Sequence, residues 1–319
     1  MSVLASPAAL KGVLAAAEAA AALAEGLRSA GAAVTELAVG DGGTGTAEVL
    51  GRPLGGEWHT VTVPDPLGRP VEARWLVLPD GTAVVESAEA VGLARLGSEE
   101  LDPLRASSRG LGELVNAALD EEPEALLVCL GDSATVDGGA GLMEVVEPFG
   151  LPARAACDVR NPLLGKRGAA RAFGPQKGAS ARQVEELEAR LAAQPSLRPF
   201  ADLPGAGAAG GLGAAMAALG AELVEGAQLV VDLIGFRAEA RTARLVVTGE
   251  GTVDRSTMEG KAAGAVVRIC AEERVRCAVF GGRVEEALDG VELHELSGDP
   301  ARAREDLVSL GELLGSRPA

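Results

Sequence analysis

Apolar and polar positions divide the chain into short continuous apolar runs, most of them closed by glycine, and longer stretches with helical spacing. Residues 2–6 read as a buried strand ending at Pro7. Residues 10–28 read as a helix with Leu14, Leu23 and Leu27 on one stripe and Gly31 as its stop. A second strand is expected over 34–39, followed by the glycine-rich turn GDGGTGT (40–46) and a helix start. Between residues 57 and 87 the period shortens. TVTV alternates, PDPLGRP turns the chain, and two β-rich runs (71–78 and 82–86) joined by Pro79-Asp80-Gly81 read as a hairpin. Antiparallel strands after a βαβ-like start predict a second domain with a mixed sheet.

Further on, residues 106–119 read as an amphipathic helix entered through Ser107 and Ser108, which offer N-cap oxygens. The apolar run 125–130 reads as a strand buried on both faces, leading into GDSATVDGGAG (131–141). A helix follows at 180–192. The segment 205–220, rich in glycine yet containing Leu212 and Met216, marks a close backbone approach or a ligand loop rather than a linker. Strands are expected at 228–233, at 245–248 running into the turn GEGTVD (249–254), at 277–280 and at 291–296, with helices at 262–271 and 302–314.

Composition narrows the function. The chain has 319 residues, is 47% hydrophobic and only 2% aromatic, and carries a formal charge of -17. Such acidity disfavours nucleic acid, whose binding rests on neutralising phosphates with Lys and Arg, and anionic membrane surfaces as well. Four scattered cysteines without a CxxC, and two histidines, argue against a zinc site or a disulfide framework. The thiols suit a reducing cytosol, so a cytoplasmic location is expected. The apolar N-terminal stretch is interrupted by Lys11 and Glu18 and reads as a strand and helix, not a signal peptide.

The densest run of unusual residues is CDVRNPLLGKRGAARAFGPQKG (157–178), where Lys166, Arg167 and Lys177 sit between glycines close to Asp158. In so acidic a chain these cations point to a phosphate-bearing ligand, with Asp158 as a metal ligand; a solvated loop is the plainer alternative. Carboxylates recur at turns: Asp41, Asp132 and Asp137, Asp158, Glu250 and Asp254. Beyond the carboxyl ends of strands, backbone amides, lysines and carboxylates together suit phosphates and magnesium. No GxxxxGK motif followed by Ser or Thr is present, and GAGAAG (205–210) lacks the preceding strand that a dinucleotide fingerprint needs.

GDGGTGT, ASSRGLGEL, DSATVDGGAG, ACDVRNPLLGKRGAARAFGPQKGAS, GAGAAGGLGAAM and LVVTGEGTVDRSTMEGK, in that order from about residue 7 to 282, resemble the class I glycerate kinase family. The resemblance implies a flavodoxin-like parallel-sheet domain built from both chain ends (1–46 and 234–319) and an inserted mixed-sheet α/β domain (47–233). It also implies ATP- and Mg2+-dependent phosphorylation of D-glycerate at the 2-hydroxyl, or of another small hydroxy acid, in an interdomain cleft. The partner is then a small-molecule substrate, and a homodimer is one assembly to test. Carried over by motif, Lys11, Asp158 and Asp254 are the catalytic candidates. Asp41, Gly42, Gly43, Ser133, Thr135, Asp137, Asn161, Arg167, Gln176, Lys177, Glu250 and Lys261 are the candidates for binding substrate and nucleotide. Asp158 and Glu250 are candidate Mg2+ ligands.

Several positions depart from the family pattern. Ala8 and Ala9 replace Asp and Ser, Thr44 replaces Glu, Leu111 replaces Thr, and Thr252 replaces Arg, while Asp132 stands where glycine is usual. Two carboxylates, two hydroxyls and a cation are lost and one carboxylate is gained. The alternative expectation is therefore a diverged paralogue that binds a nucleotide or small anion with weak or no turnover.

Overall fold

The computed structural model describes residues 2–317. Its strands are β1 Ser2–Ala5, β2 Val34–Glu36, β3 Glu57–Pro64, β4 Pro70–Val77, β5 Thr82–Glu86, β6 Ala125–Cys129, β7 Ala153–Cys157, β8 Glu222–Glu225, β9 Ala243–Val253, β10 Cys277–Val284 and β11 Glu292–Glu295. The α-helices are α1 Ala16–Ser29, α2 Thr46–Leu54, α3 Ser87–Val91, α4 Arg109–Leu119, α5 Ala140–Met143, α6 Ala169–Phe173, α7 Ala181–Ala192, α8 Ala208–Ala218, α9 Gly226–Leu233, α10 Phe236–Thr242, α11 Ala262–Glu273 and α12 Ala303–Gly315. The chain divides into two compact units. One takes the N-terminal segment to Asp41, Glu48–Pro53 and the chain from Ala227 onward; the other takes Gly42–Ala47 and Leu54–Gly226.

In the first unit five strands form a wholly parallel sheet in the order β11-β10-β9-β1-β2. Counted along the chain, that is the doubly wound, flavodoxin-like order, and the strand order reverses between β1 and β9. Val3, Ala5, Val247 and Phe280 from the strands meet Leu23, Leu27, Leu307 and Leu314 from α1 and α12 in one core. The two helices approach closely because Gly26 lacks a side chain: a Cβ there would lie 1.9 Å from the Val308 carbonyl oxygen.

The second unit holds a six-stranded mixed sheet, β3-β4-β5-β6-β7-β8. β3, β4 and β5 pair antiparallel as the hairpin pattern predicts, and β5 to β8 pair parallel. Trp75, Val85, Leu126 and Val128 pack against Leu111 and Leu114 of α4 and against Leu212 and Met216 of α8. A flavodoxin-like sheet assembled from both chain ends and a mixed α/β sheet between them is therefore the architecture.

Local expectations change in four places. Residues 228–233 are not a strand but most of α9: Ala227, Val230, Val231 and Ile234 are the buried positions, a helical period in a short run that β-branched residues disguise. The strand there is β8, immediately before it. The first long helix starts at Ala16 rather than at residue 10, because Leu10 and Leu14 close a turn through paired backbone hydrogen bonds and Gly12 sits at φ 75°. Residues 205–220 hold a buried helix, α8, not an open ligand loop; the close backbone approach does exist, at left-handed Gly210. β9 runs on through the expected turn to Val253, paired with β10, so Glu250 lies in a strand.

Candidate active site

Each unit gathers its own polar cluster. In the parallel sheet the strand order reverses between β1 and β9, and open α/β sheets bind ligands beyond the carboxyl ends of the strands at such a point. Ser6 and Thr248 lie there: the Thr248 hydroxyl donates to the Ser6 carbonyl at 2.7 Å, while the Ser6 hydroxyl is fully buried and, among the described residues, has no hydrogen-bond partner. Two residues on, Glu250 is buried. Its Oε1 accepts from the Thr257 hydroxyl at 2.6 Å, and its Oε2 lies 3.4 Å from Lys261 Nζ. The same ammonium is 3.5 Å from Asp254, whose carboxylate also accepts from the Ser256 amide at 2.7 Å. Burial pushes the Glu250 carboxyl above its ordinary value, against the pull of Thr257 and Lys261. The Ser256 side chain above all holds Asp254 below its own, with Lys261 and the Ser256 amide helping to outweigh the opposing effect of burial. Lys11 is exposed on the turn after β1, with its backbone nitrogen beside Gly251, and Asp41 is half-buried.

In the mixed-sheet unit the loop after β6 folds on its own polar side chains. Asp137 accepts from the Ser108 amide at 2.8 Å, the Ser108 hydroxyl at 2.7 Å and the amides of Gly139 and Gly141 at 3.0 and 3.3 Å. Ser108 therefore does not cap α4 with its side chain, as the sequence suggested, but ties α4 to this loop. Ser133 and Thr135 share a hydroxyl–hydroxyl bond of 2.9 Å. Lys177 is buried, and its Nζ donates to the Thr135 carbonyl at 2.8 Å. Burial takes its pKa down to about 7, only partly opposed by Asp137 and Asp132.

The 157–178 stretch is thus split. Lys177 joins the loop, whereas Arg167 and Gln176 are exposed, and among the described residues their side chains have no partner. Asn161 closes its own segment by donating to the Arg167 carbonyl at 2.7 Å. Asp158 is half-buried at the end of β7, and burial and its charge raise the neighbouring Cys157 thiol to about 11, so that thiol is unreactive. Gly42 packs beside Ala156 and Gly226, and Gly43 against Gly131.

Sequence reasoning missed Glu86. The last residue of the buried strand β5, it accepts from the amides of Gly45 and Ala47 at 2.9 and 2.7 Å. Its signal is faint but real: a carboxylate closing a buried strand that otherwise carries no charge.

The family model for the glycerate kinase family matches residues 3–151 and 149–299. The chain belongs to the glycerate kinase family. Its relatives include a glycerate kinase of Bacillus subtilis, 35% identical over 92% of this chain and 88% of that protein, and a glycerate 2-kinase of Escherichia coli, 37% identical over 82% and 80%. A crystal structure assigned as glycerate kinase 2 of Salmonella typhimurium LT2 superposes with a TM-score of 0.84 at 31% identity, covering 99% of this chain and 97% of that one. This glycerate kinase family member is accordingly a kinase. No helix among the described residues is long and apolar enough to cross a membrane. The Thr44 hydroxyl donates to Asp132 at 2.7 Å.

Proposed function

We propose that the protein transfers the terminal phosphoryl group of ATP to the 2-hydroxyl of D-glycerate. The observation that carries this reading is the Glu250–Lys261–Asp254 cluster in the unit whose strand order reverses between β1 and β9. Lys261 and the exposed Lys11 are cations suited to phosphate oxygens, and the Ser6 hydroxyl, buried without a partner among the described residues, fits a ligand atom arriving at that reversal. In the transfer, the hydroxyl oxygen forms a bond to the γ-phosphorus, the bond to the β–γ bridging oxygen breaks, and ADP leaves. The hydroxyl proton passes to a carboxylate, Asp254 or Asp158.

No group of three or more His, Cys, Asp or Glu side chains gathers to hold a metal among the described residues. That fits Mg2+ entering with the nucleotide, held by its phosphates, water and one or two carboxylates. Asp158 and Glu250 are the proposed protein ligands. Burial opposes the charged form that Glu250 would need, which favours Asp158. When bound, the ion would neutralise charge on the β- and γ-phosphates.

Release of ADP from ATP, Mg2+ and D-glycerate, with phosphorus NMR to locate the new ester, tests the reading. No turnover with a panel of small hydroxy acids overturns it. If nucleotide binding by calorimetry persists in that case, the weakly active, ligand-binding alternative stands instead.

A further inference from the structure

The sequence of the turn 40–46 suggests backbone amides waiting for an external anion. The structure places a protein carboxylate there. All of β5 is buried, yet it ends in an acid: Glu86 is 5% exposed, and its two oxygens take the N–H groups of Gly45 and Ala47. At the start of a nine-residue helix, such amides are the ones that would otherwise hold a phosphate. The next residue extends the arrangement. Ser87 donates its hydroxyl to the Gly131 carbonyl at 2.9 Å and accepts from the Gly131 amide at 3.3 Å. Gly131 lies against Gly43, since a Cβ on Gly131 would come within 2.6 Å of the Gly43 Cα. Across this contact the Thr44 hydroxyl reaches Asp132. The end of β5 therefore holds two glycine-rich turns at once and fixes which side chains they present.

We infer that Glu86 is a positioning residue: its carboxylate fills the anion seat of the 42–47 turn, so that this turn presents Thr44 to Asp132 of the 131–141 turn instead of binding phosphate through its amides. The link to turnover rests on the kinase reading above; occupation of the seat does not.

The test uses the full chain and its Glu86→Ala, Glu86→Gln and Glu86→Asp variants, with acetate and inorganic sulfate as probes and chloride as the ionic-strength control. In wild type, neither anion should give saturable amide NMR shifts at Gly45 and Ala47. In Glu86→Ala both should, because the seat is then open. Glu86→Asp keeps the charge and should exclude the probes as wild type does. With D-glycerate and ATP, kcat of Glu86→Ala should fall roughly 10- to 100-fold, with KM changed far less, as expected when reacting groups are misplaced by about an ångström. Acetate should restore part of that loss in Glu86→Ala. Glu86→Gln keeps the side chain's size and guards against a folding failure; its amide puts a donor where an acceptor is needed, so it should lose kcat without rescue.

Saturable shifts at Gly45 and Ala47 in wild type with sulfate or acetate would overturn the inference. So would a Glu86→Ala variant with full kcat, or one whose Gly45 and Ala47 amides ignore acetate. If wild type shows no turnover at all, the NMR arm still reads the seat, and only the kinase reading fails.

Discussion

Two lysines, each from a different motif of the family resemblance, end in opposite surroundings. Lys261, in the parallel-sheet unit, is partly exposed and stands between two carboxylates, Glu250 at 3.4 Å and Asp254 at 3.5 Å. Lys177, in the mixed-sheet unit, is buried, and its ammonium meets a neutral acceptor, the Thr135 carbonyl, at 2.8 Å. Around Lys261 charge answers charge, so the cluster holds side chains that a charged substrate can re-pair. Around Lys177 the polar groups are spent on backbone: Asp137 serves three amides and a hydroxyl, and Ser133 serves Thr135. The first arrangement suits chemistry and the second suits a rigid loop. A list of matched motif residues does not separate these roles, but their partners do.

Breaking the loop should give the largest effect. Asp137→Ala removes a carboxylate that accepts from Ser108, Gly139 and Gly141, leaving several donors without it. Removing a charged acceptor from such a network costs on the order of 3–5 kcal/mol of stability. Urea unfolding monitored by circular dichroism measures it. A loss under about 1 kcal/mol would mean that Asp137 is free for catalysis after all, and the contrast between the two clusters would collapse.

Lys177 sharpens the contrast through pH. Its folded pKa of about 7 lies below its ordinary 10.5, so between those values the unfolded chain holds a proton that the folded chain has released. The stability it contributes is fully present above about 10.5 and is lost as pH falls through about 7. Wild type should therefore gain stability relative to Lys177→Met as pH rises from about 7 towards 10, with a slope of at most about 1.4 kcal/mol per pH unit. Taking the difference between the two proteins cancels groups that titrate alike in both. A flat difference across that window would show that Lys177 stays charged, and it would move this lysine into the same class as Lys261.

The sequence made the architecture legible where one short run decides an element. The apolar runs of β6 and β9 and the Pro79-Asp80-Gly81 hairpin needed no distant partner. α9 was misread because a short apolar run fits a strand as well as one face of a helix. Site roles were harder to read. Lys177 becomes buried through Thr135, which lies 42 residues earlier, and Glu86 is tied to amides about 40 residues upstream. No local pattern announces such pairings. Motif matching therefore identified most of the polar residues in the clusters but not which of them face backbone, and it overlooked Glu86, whose partners alone reveal its place.

The smallest effect concerns Asp132, and it divides into two parts. This residue is left-handed at φ 51°, a conformation that costs a side chain roughly 1 kcal/mol and costs glycine nothing, with Asp among the more tolerant residues. Its carboxylate also accepts the Thr44 hydroxyl at an exposed position, worth about 0.5–1 kcal/mol. Asp132→Ala keeps the backbone cost and loses the bond, so it should destabilise by about 1 kcal/mol. Asp132→Gly loses the bond but relieves the backbone, so it should stay within about 0.5 kcal/mol of wild type. The Ala–Gly difference, read from paired thermal melts, isolates the conformational cost from the hydrogen bond. If the two variants melt together, the left-handed turn carries no strain. If both variants are strongly destabilised, the Thr44–Asp132 bond is doing far more for this loop than an exposed hydrogen bond should.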